Sequence, residues 1–182
     1  MLVLGVDPGL ATTGYGLVRK VEGQLQSVAY GVVKTPAKRP LPERLQQLYR
    51  ELSALIEQHG PDEGAVEELF FSRNVRTAMS VGQARGVALL ALADAGLVVA
   101  EYTPLAVKQA VSGFGGADKR QMQTMVKMLL NLDRIPRPDD AADALAVAVC
   151  HIHSIRLNQV IRDSQPGGSH APVTLVGGSS GS

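Results

Sequence analysis

Carboxylates stand at both ends of the apolar framework of this chain. Asp7 closes the run Leu2 to Val6, and Asp139-Asp140-Ala-Ala-Asp143 opens a second run, Ala141 to Ile155. Pro8 and Gly9 stop the first run, so it reads as a buried strand with Asp7 at a sheet's rim. The second follows Pro136 and Pro138 and reads as a helix. Residues three apart on a helix are neighbours, with Cβ atoms roughly 5–6 Å apart, so Asp140 and Asp143 share a face; Asp139, four residues from Asp143, lies on it too. A third acidic element, Glu67-Glu68, sits among Val66, Leu69, Phe70 and Phe71 in a strand-like setting. Carboxylates are rare there unless paired or bound to a metal. Each element has an ordinary explanation: Asp7 as a turn former, Asp139 as a helix N-cap, Glu68 as the outward side of an edge strand. Their joint occurrence points instead to one metal site, which requires the last helix to return to the rim of the first strand.

The order of elements allows this. Leu2 to Val6, Gly14 to Val21 and Gln24 to Val33 read as an antiparallel meander, with Glu22-Gly23 as a tight hairpin turn. Pro42 and Gly60 bracket a first helix with Leu45, Leu48, Tyr49, Leu52, Leu55 and Ile56 at helical spacing. A strand follows from Ala65 to Phe70, then a helix from Val75 to Ala95. That helix carries Ala78, Gly82 and Gly86 at four-residue intervals; glycine costs roughly 1 kcal/mol in a helix interior, so another backbone is expected close by, from the sheet or from a second subunit. A strand from Leu97 to Tyr102 leads into a short helix through Val107, a link with Gly113, Gly115 and Gly116, a helix from Lys119 to Leu130, and the helix bearing Asp143. This order predicts a mixed α/β sheet flanked by helices.

At 182 residues and 45% hydrophobic content the chain suits one domain. No stretch reaches the roughly 20 apolar residues of a membrane span, and no signal-type segment opens it, so a cytoplasmic location without membrane contact is expected. Cys150 reads as an inert core residue, and His151 and His153 as packing or surface residues, not ligands. The net charge of +1 does not announce a nucleic-acid partner, but acidic and basic surfaces cancel in such a sum. Residues 157–182 are expected to form a flexible tail, and the final GSSGS has the composition of an added linker.

GVDPGLATTGYG, VEELFFSRN, GQARGVALLA, the Val107-Lys108-Gln109 step and DAADALAVA, in that order, resemble the RuvC family of Holliday-junction resolvases across about Met1 to Ser154. The resemblance implies a ribonuclease-H-like nuclease domain over residues 1–156. It also implies that Asp7, Glu67, Asp140 and Asp143 are the catalytic metal ligands; it selects Glu67 over Glu68 and leaves Asp139 aside. Four gathered acids need cations, and oxygen ligands favour Mg²⁺ or Mn²⁺, two ions per site. The implied activity is hydrolysis of DNA phosphodiesters at four-way junctions by paired symmetric nicks, leaving 5′-phosphate and 3′-hydroxyl ends, in recombination and repair. Paired nicks imply a homodimer, with Val81 and Leu89 beside the small-residue stripe as candidate contacts; in cells the family works with a branch-migration motor.

For DNA binding, the expected residues are Phe70 as a base contact, the loop Arg73, Asn74 and Arg76, and Lys108, Lys119 and Arg120. Asp118 to Gln121 reads as a capping box, yet Lys119 and Arg120 in a first helical turn oppose the helix dipole unless an anion binds there. Among the alternatives, an actin or sugar-kinase type nucleotide-binding domain would use Thr12, Thr13 and Gly14 as a phosphate loop, but such proteins pair two domains. A junction-binding protein without catalysis would gain nothing from clustered acids. Generic ribonuclease H activity shares the metal chemistry.

Overall fold

The structure is a computed structural model that describes residues 1–68 and 75–163, with side chains described for 1–68 and 78–155. Among the described residues, five strands and five helices follow one another as β1 (Leu2–Asp7), β2 (Thr12–Val21), β3 (Gln24–Lys34), α1 (Leu41–His59), β4 (Glu63–Glu67), α2 (Val75–Asp94), β5 (Val98–Tyr102), α3 (Pro104–Ser112), α4 (Lys119–Leu129) and α5 (Asp139–Asp163). The sheet order is β3-β2-β1-β4-β5. β1 to β3 form the antiparallel meander, and β4 and β5 extend it in parallel from β1. Glu22 and Gly23 take positive φ in the hairpin turn, as two-residue hairpins prefer.

β1 is central and covered on both faces, which is why it reads as a continuous apolar run. Leu2, Leu4 and Val6 face α1 and α2, in a core with Leu17, Leu48, Leu52, Val66 and Leu92. Val3 points the other way, into a core with Val18, Ala65, Val126, Leu145 and Val149. α5 occupies that second face, running over β1 and β2 with α3 and α4 on its flanks. An all-apolar helix is a buried helix, and every residue from Ala144 to Ile152 is buried.

Several boundaries differ from those expected. β4 runs over Glu63–Glu67 and not Ala65 to Phe70; the apolar Leu69-Phe70 pair, which suggested continuation, lies outside the described residues. α3 continues to Ser112, where Gly113 caps it in the left-handed conformation. α5 continues to Asp163, past the expected domain boundary at residue 156. Among the described residues, no helix is long and apolar enough to cross a membrane.

Candidate active site

Strand alternation decides which acids meet. Side chains along a strand alternate between faces, so Asp7 follows Val3 and Gly5 onto the α5 face, and Glu67 follows Ala65 onto the same face. β1 and β4 are adjacent and parallel, with Val6 opposite Val66, so both acids emerge at one rim. Glu68 falls past the strand end and is exposed, its N–H donating to the Tyr102 carbonyl.

Glycine brings α5 to that rim. A Cβ on Gly14 would lie 2.0 Å from the Asp140 carbonyl oxygen, one on Gly5 would lie 2.2 Å from that of Ala144, and one on Gly16 would lie 2.8 Å from Leu145. Helix backbone therefore rests directly on sheet backbone, with Asp140 and Asp143 above Asp7. The sequence reading quoted these glycines as motif letters and missed their packing role; their signal was period-two spacing of Gly14 and Gly16 within a strand, a mark of close backbone approach.

The electrostatics record the crowding. Burial first, and then the Asp143 charge, push the Asp7 carboxyl up to about 6. Burial, followed by Asp7 itself, pushes Glu67 up to about 8. The two side chains are hydrogen-bonded, so the pair retains a proton between them where free carboxyls would both be ionised. Asp143 is also raised by burial, with Lys119 opposing and Asp140 and Asp139 adding to the rise. Lys119 Nζ lies 3.1 Å from Asp139 Oδ2 and 3.7 Å from Asp143 Oδ2. Partial burial pulls Lys119 down, but the Asp139 hydrogen bond and the surrounding acids outweigh it and hold the ammonium charged.

Asp139 faces away from Asp7, toward α4. Its carboxylate accepts from Gln123 Nε2 at 3.0 Å and Arg137 at 2.8 Å, and the Lys119 hydrogen bond lowers its pKa. Asp139 thus shares Lys119 with Asp143 without joining Asp7 and Glu67. Glu67, Asp143, Lys108 and Lys119 line one cleft of about 220 Å³, with Val107 and Met122 as apolar wall. Among the described residues no three acid, histidine or cysteine groups close around one ion position; the shared proton and Lys119 balance the charge instead. The donor set nevertheless fits a hard divalent cation: carboxylate oxygens only, partly buried and near enough for their charges to repel one another.

The other residues singled out in the sequence are placed as follows. The Asp118 capping box is formed in both directions, with Asp118 accepting from Gln121 N–H at 2.8 Å and its own N–H donating to Gln121 Oε1 at 2.8 Å. The ammonium of Lys119 turns to the α5 acids, while Arg120 opens onto a neighbouring cleft. Thr13 is buried, donates to the Gly9 carbonyl at 2.7 Å and accepts from the Gly9 N–H at 3.3 Å. It staples the turn after Asp7 and is spent as a phosphate-loop donor. His151 is a buried packing residue, bonded to Tyr102 and Glu63 at 2.8 and 2.7 Å; His153 bonds the Ala110 carbonyl at 2.9 Å. Phe70, Arg73 and Asn74 lie outside the described residues, and Arg76 is in the first turn of α2 with its side chain outside them.

Comparison with known proteins agrees with this geometry. The family model described as "Crossover junction endodeoxyribonuclease RuvC" matches residues 3–151. The protein of that name from Syntrophomonas wolfei is 56% identical over 164 residues, covering 90% of this chain and 95% of the relative. The one from Chloroflexus aurantiacus is 63% identical over 154 residues, 85% and 94% of the two chains. Among solved structures, Thermus thermophilus RuvC in complex with Holliday junction substrate superposes with a TM-score of 0.83 at 38% identity, covering 87% of this chain and 96% of that one. The yeast mitochondrial Holliday junction resolvase Ydc2, at TM-score 0.67 and 15% identity, shares the ribonuclease-H-like fold. With a family model spanning most of its length and close relatives matched nearly end to end, the chain belongs to the RuvC family of crossover junction endodeoxyribonucleases.

Proposed function

We propose that this chain is a metal-dependent endonuclease that resolves four-way DNA junctions, with Asp7, Glu67, Asp140 and Asp143 holding the metal. The observation that carries the reading is the meeting of β1, β4 and α5 acids at one sheet rim with Lys119 against them. Two Mg²⁺ or Mn²⁺ ions bound there would lower the pKa of the attacking water and offset charge on the leaving oxygen. To hold the metal, Asp7 and Glu67 would have to be ionised, and Lys119, no longer needed against Asp143, would be available for a DNA phosphate, with Lys108 lining the same cleft to hold the strand. The acids alone would repel DNA, so the lysines set where the backbone can approach. Hydrolysis by water leaves 5′-phosphate and 3′-hydroxyl ends.

A junction has two-fold symmetry, and two like nicks require two sites related by a C₂ axis. α2 supplies the surface that supports a homodimer. Its buried face, Ala84, Ala88, Ala91 and Leu92, packs on the sheet. Gly86 has nothing within 4 Å of its Cβ position, so the sheet is not the backbone it approaches. Met79 and Leu90, at helical spacing from Gly86, are exposed at 63% and 53%. Leu89, by contrast, packs against the chain's own core. A branch-migration motor as working partner rests on the family resemblance alone.

The test is cleavage of a synthetic four-way junction beside a matched linear duplex in Mg²⁺, Mn²⁺ and EDTA. Paired symmetric nicks on the junction alone, abolished by EDTA, are expected. Tight junction binding without cutting in either metal would overturn the nuclease reading.

A further inference from the structure

We infer that Phe114 and Arg120 form an additional DNA contact beside the carboxylates, in which a base of the junction strand stacks on the Phe114 ring while Arg120 meets the backbone phosphate. The inference rests on the junction-nuclease reading above. Phe114 is 66% exposed, although it is one of three phenylalanines in the chain. It sits on the link between α3 and α4, and the link is held in shape. Gly113 caps α3, Ser112 Oγ accepts from the Phe114 N–H at 3.3 Å, and the Ala117 N–H donates to the Phe114 carbonyl at 3.2 Å.

Glycine sets the ring's position. A Cβ on Gly116 would lie 2.6 Å from Phe114 Cζ, so the ring rests against Gly116 backbone on one side. Its free side borders a cleft of about 390 Å³ with Ala117, Arg120, Thr124 and Met125 in the wall. Small-ligand clefts span roughly 300–1,000 Å³. The one acid in that wall, Asp118, already accepts the Gln121 N–H. Arg120 has no ion-pair partner among the described residues.

An aromatic face beside an unpaired guanidinium is the arrangement that holds single-stranded or distorted nucleic acid with little regard for sequence. Its placement favours the same substrate as the active site. Phe114 lies on the segment joining Lys108 to Lys119, five residues before the latter and so at most about 18 Å from it along the chain. A strand whose phosphate reaches the carboxylates passes within a few nucleotides of the ring. An apolar protein partner would cover the ring but leave the Arg120 guanidinium unanswered.

The chain contains no tryptophan, so F114W introduces a single indole reporter at the contact. Its fluorescence is expected to quench when junction DNA is added. F114A should raise the protein concentration needed for half-maximal single-turnover cleavage by about five- to a hundredfold, with the rate at saturation and the melting temperature held, and F114W should restore the wild-type value. An unquenched F114W, or an F114A protein that binds and cuts like wild type, would overturn the contact and leave a protein partner as the occupant of the cleft. Wild-type protein in the same assay separates this from the broader reading: if it does not cut junctions, the nuclease assignment fails, and the inference with it.

Discussion

Asp7 and Glu67 hold their protons more tightly in the folded chain than in the unfolded one, because burial and mutual repulsion disfavour their ionised forms. Between about pH 4 and about pH 8 the unfolded chain therefore binds fewer protons, and folding stability is lost as pH rises through that window. At about 1.4 kcal/mol per unit, the coupled pair accounts for an effect on the order of a few kcal/mol. The melting temperature measured in EDTA should fall between about pH 5 and pH 8, and Mg²⁺ should restore it at the upper end far more than at the lower. Glu67→Gln should flatten the EDTA profile; an unchanged slope would mean that the pair is not the source. Asp7→Asn should lose at least about a hundredfold in cleavage, the upper end of what even an outer partner of a metal site costs, while junction affinity holds or rises as one repulsive charge is removed. At this scale flanking breakers and helical spacing in the sequence point to Asp7 and Asp143, but spacing leaves Asp139 and Asp140 both on the face of Asp143, and only the family resemblance chooses Asp140. It could not separate Glu67 from Glu68, because both neighbour apolar residues and the choice depends on which face of β4 meets α5.

Among the elements, α5 carries two of the four acids proposed for the site, and its seat on β1 and β2 sets the position of both at once. Gly14→Ala would push a Cβ into the Asp140 carbonyl. The overpacking should cost about 1–3 kcal/mol, and displacement of Asp140 by an ångström should lower cleavage about a hundredfold. Chemical denaturation and single-turnover cleavage of the same protein check both. Gly86→Ala is the contrast, since the position is open within one copy. Helix propensity should rise by up to about 1 kcal/mol with cleft geometry untouched, while a Cβ on the α2 contact stripe should shift sedimentation toward monomer. Strand and helix order could be read from turn residues and periodicity. The end of β4 at Glu67 could not, because the apolar pair after Glu67-Glu68 prolongs the sequence pattern past it. The seat of α5 was hidden too: a glycine in a strand announces a close approach but not the element that makes it.

For the whole molecule, the proposed paired nicking requires two copies in a fixed relation. Leu90→Arg places a charge on the exposed α2 stripe and should shift sedimentation from dimer toward monomer, with paired nicks giving way to single ones. A monomeric wild type at micromolar concentration would remove α2 as the interface. The sequence points to this helix through Gly82 and Gly86 with Val81 and Leu89 as neighbours; packing adds that Leu89 is partly buried against the chain's own core while Met79 and Leu90 face outward.

The backbone seam beneath α5 also limits how this chain can vary over time. A change in an ordinary core can be offset by trimming the neighbour it presses on. Gly5, however, meets the backbone of Ala144 and Ala148, and backbone has nothing to trim. A side chain introduced there has no compensating partner within reach, and the same displacement that weakens the fold would draw the acids apart. Selection for a stable chain and selection for an active one therefore act on the same atoms, and drift should be slower along this seam than at surface positions of either partner.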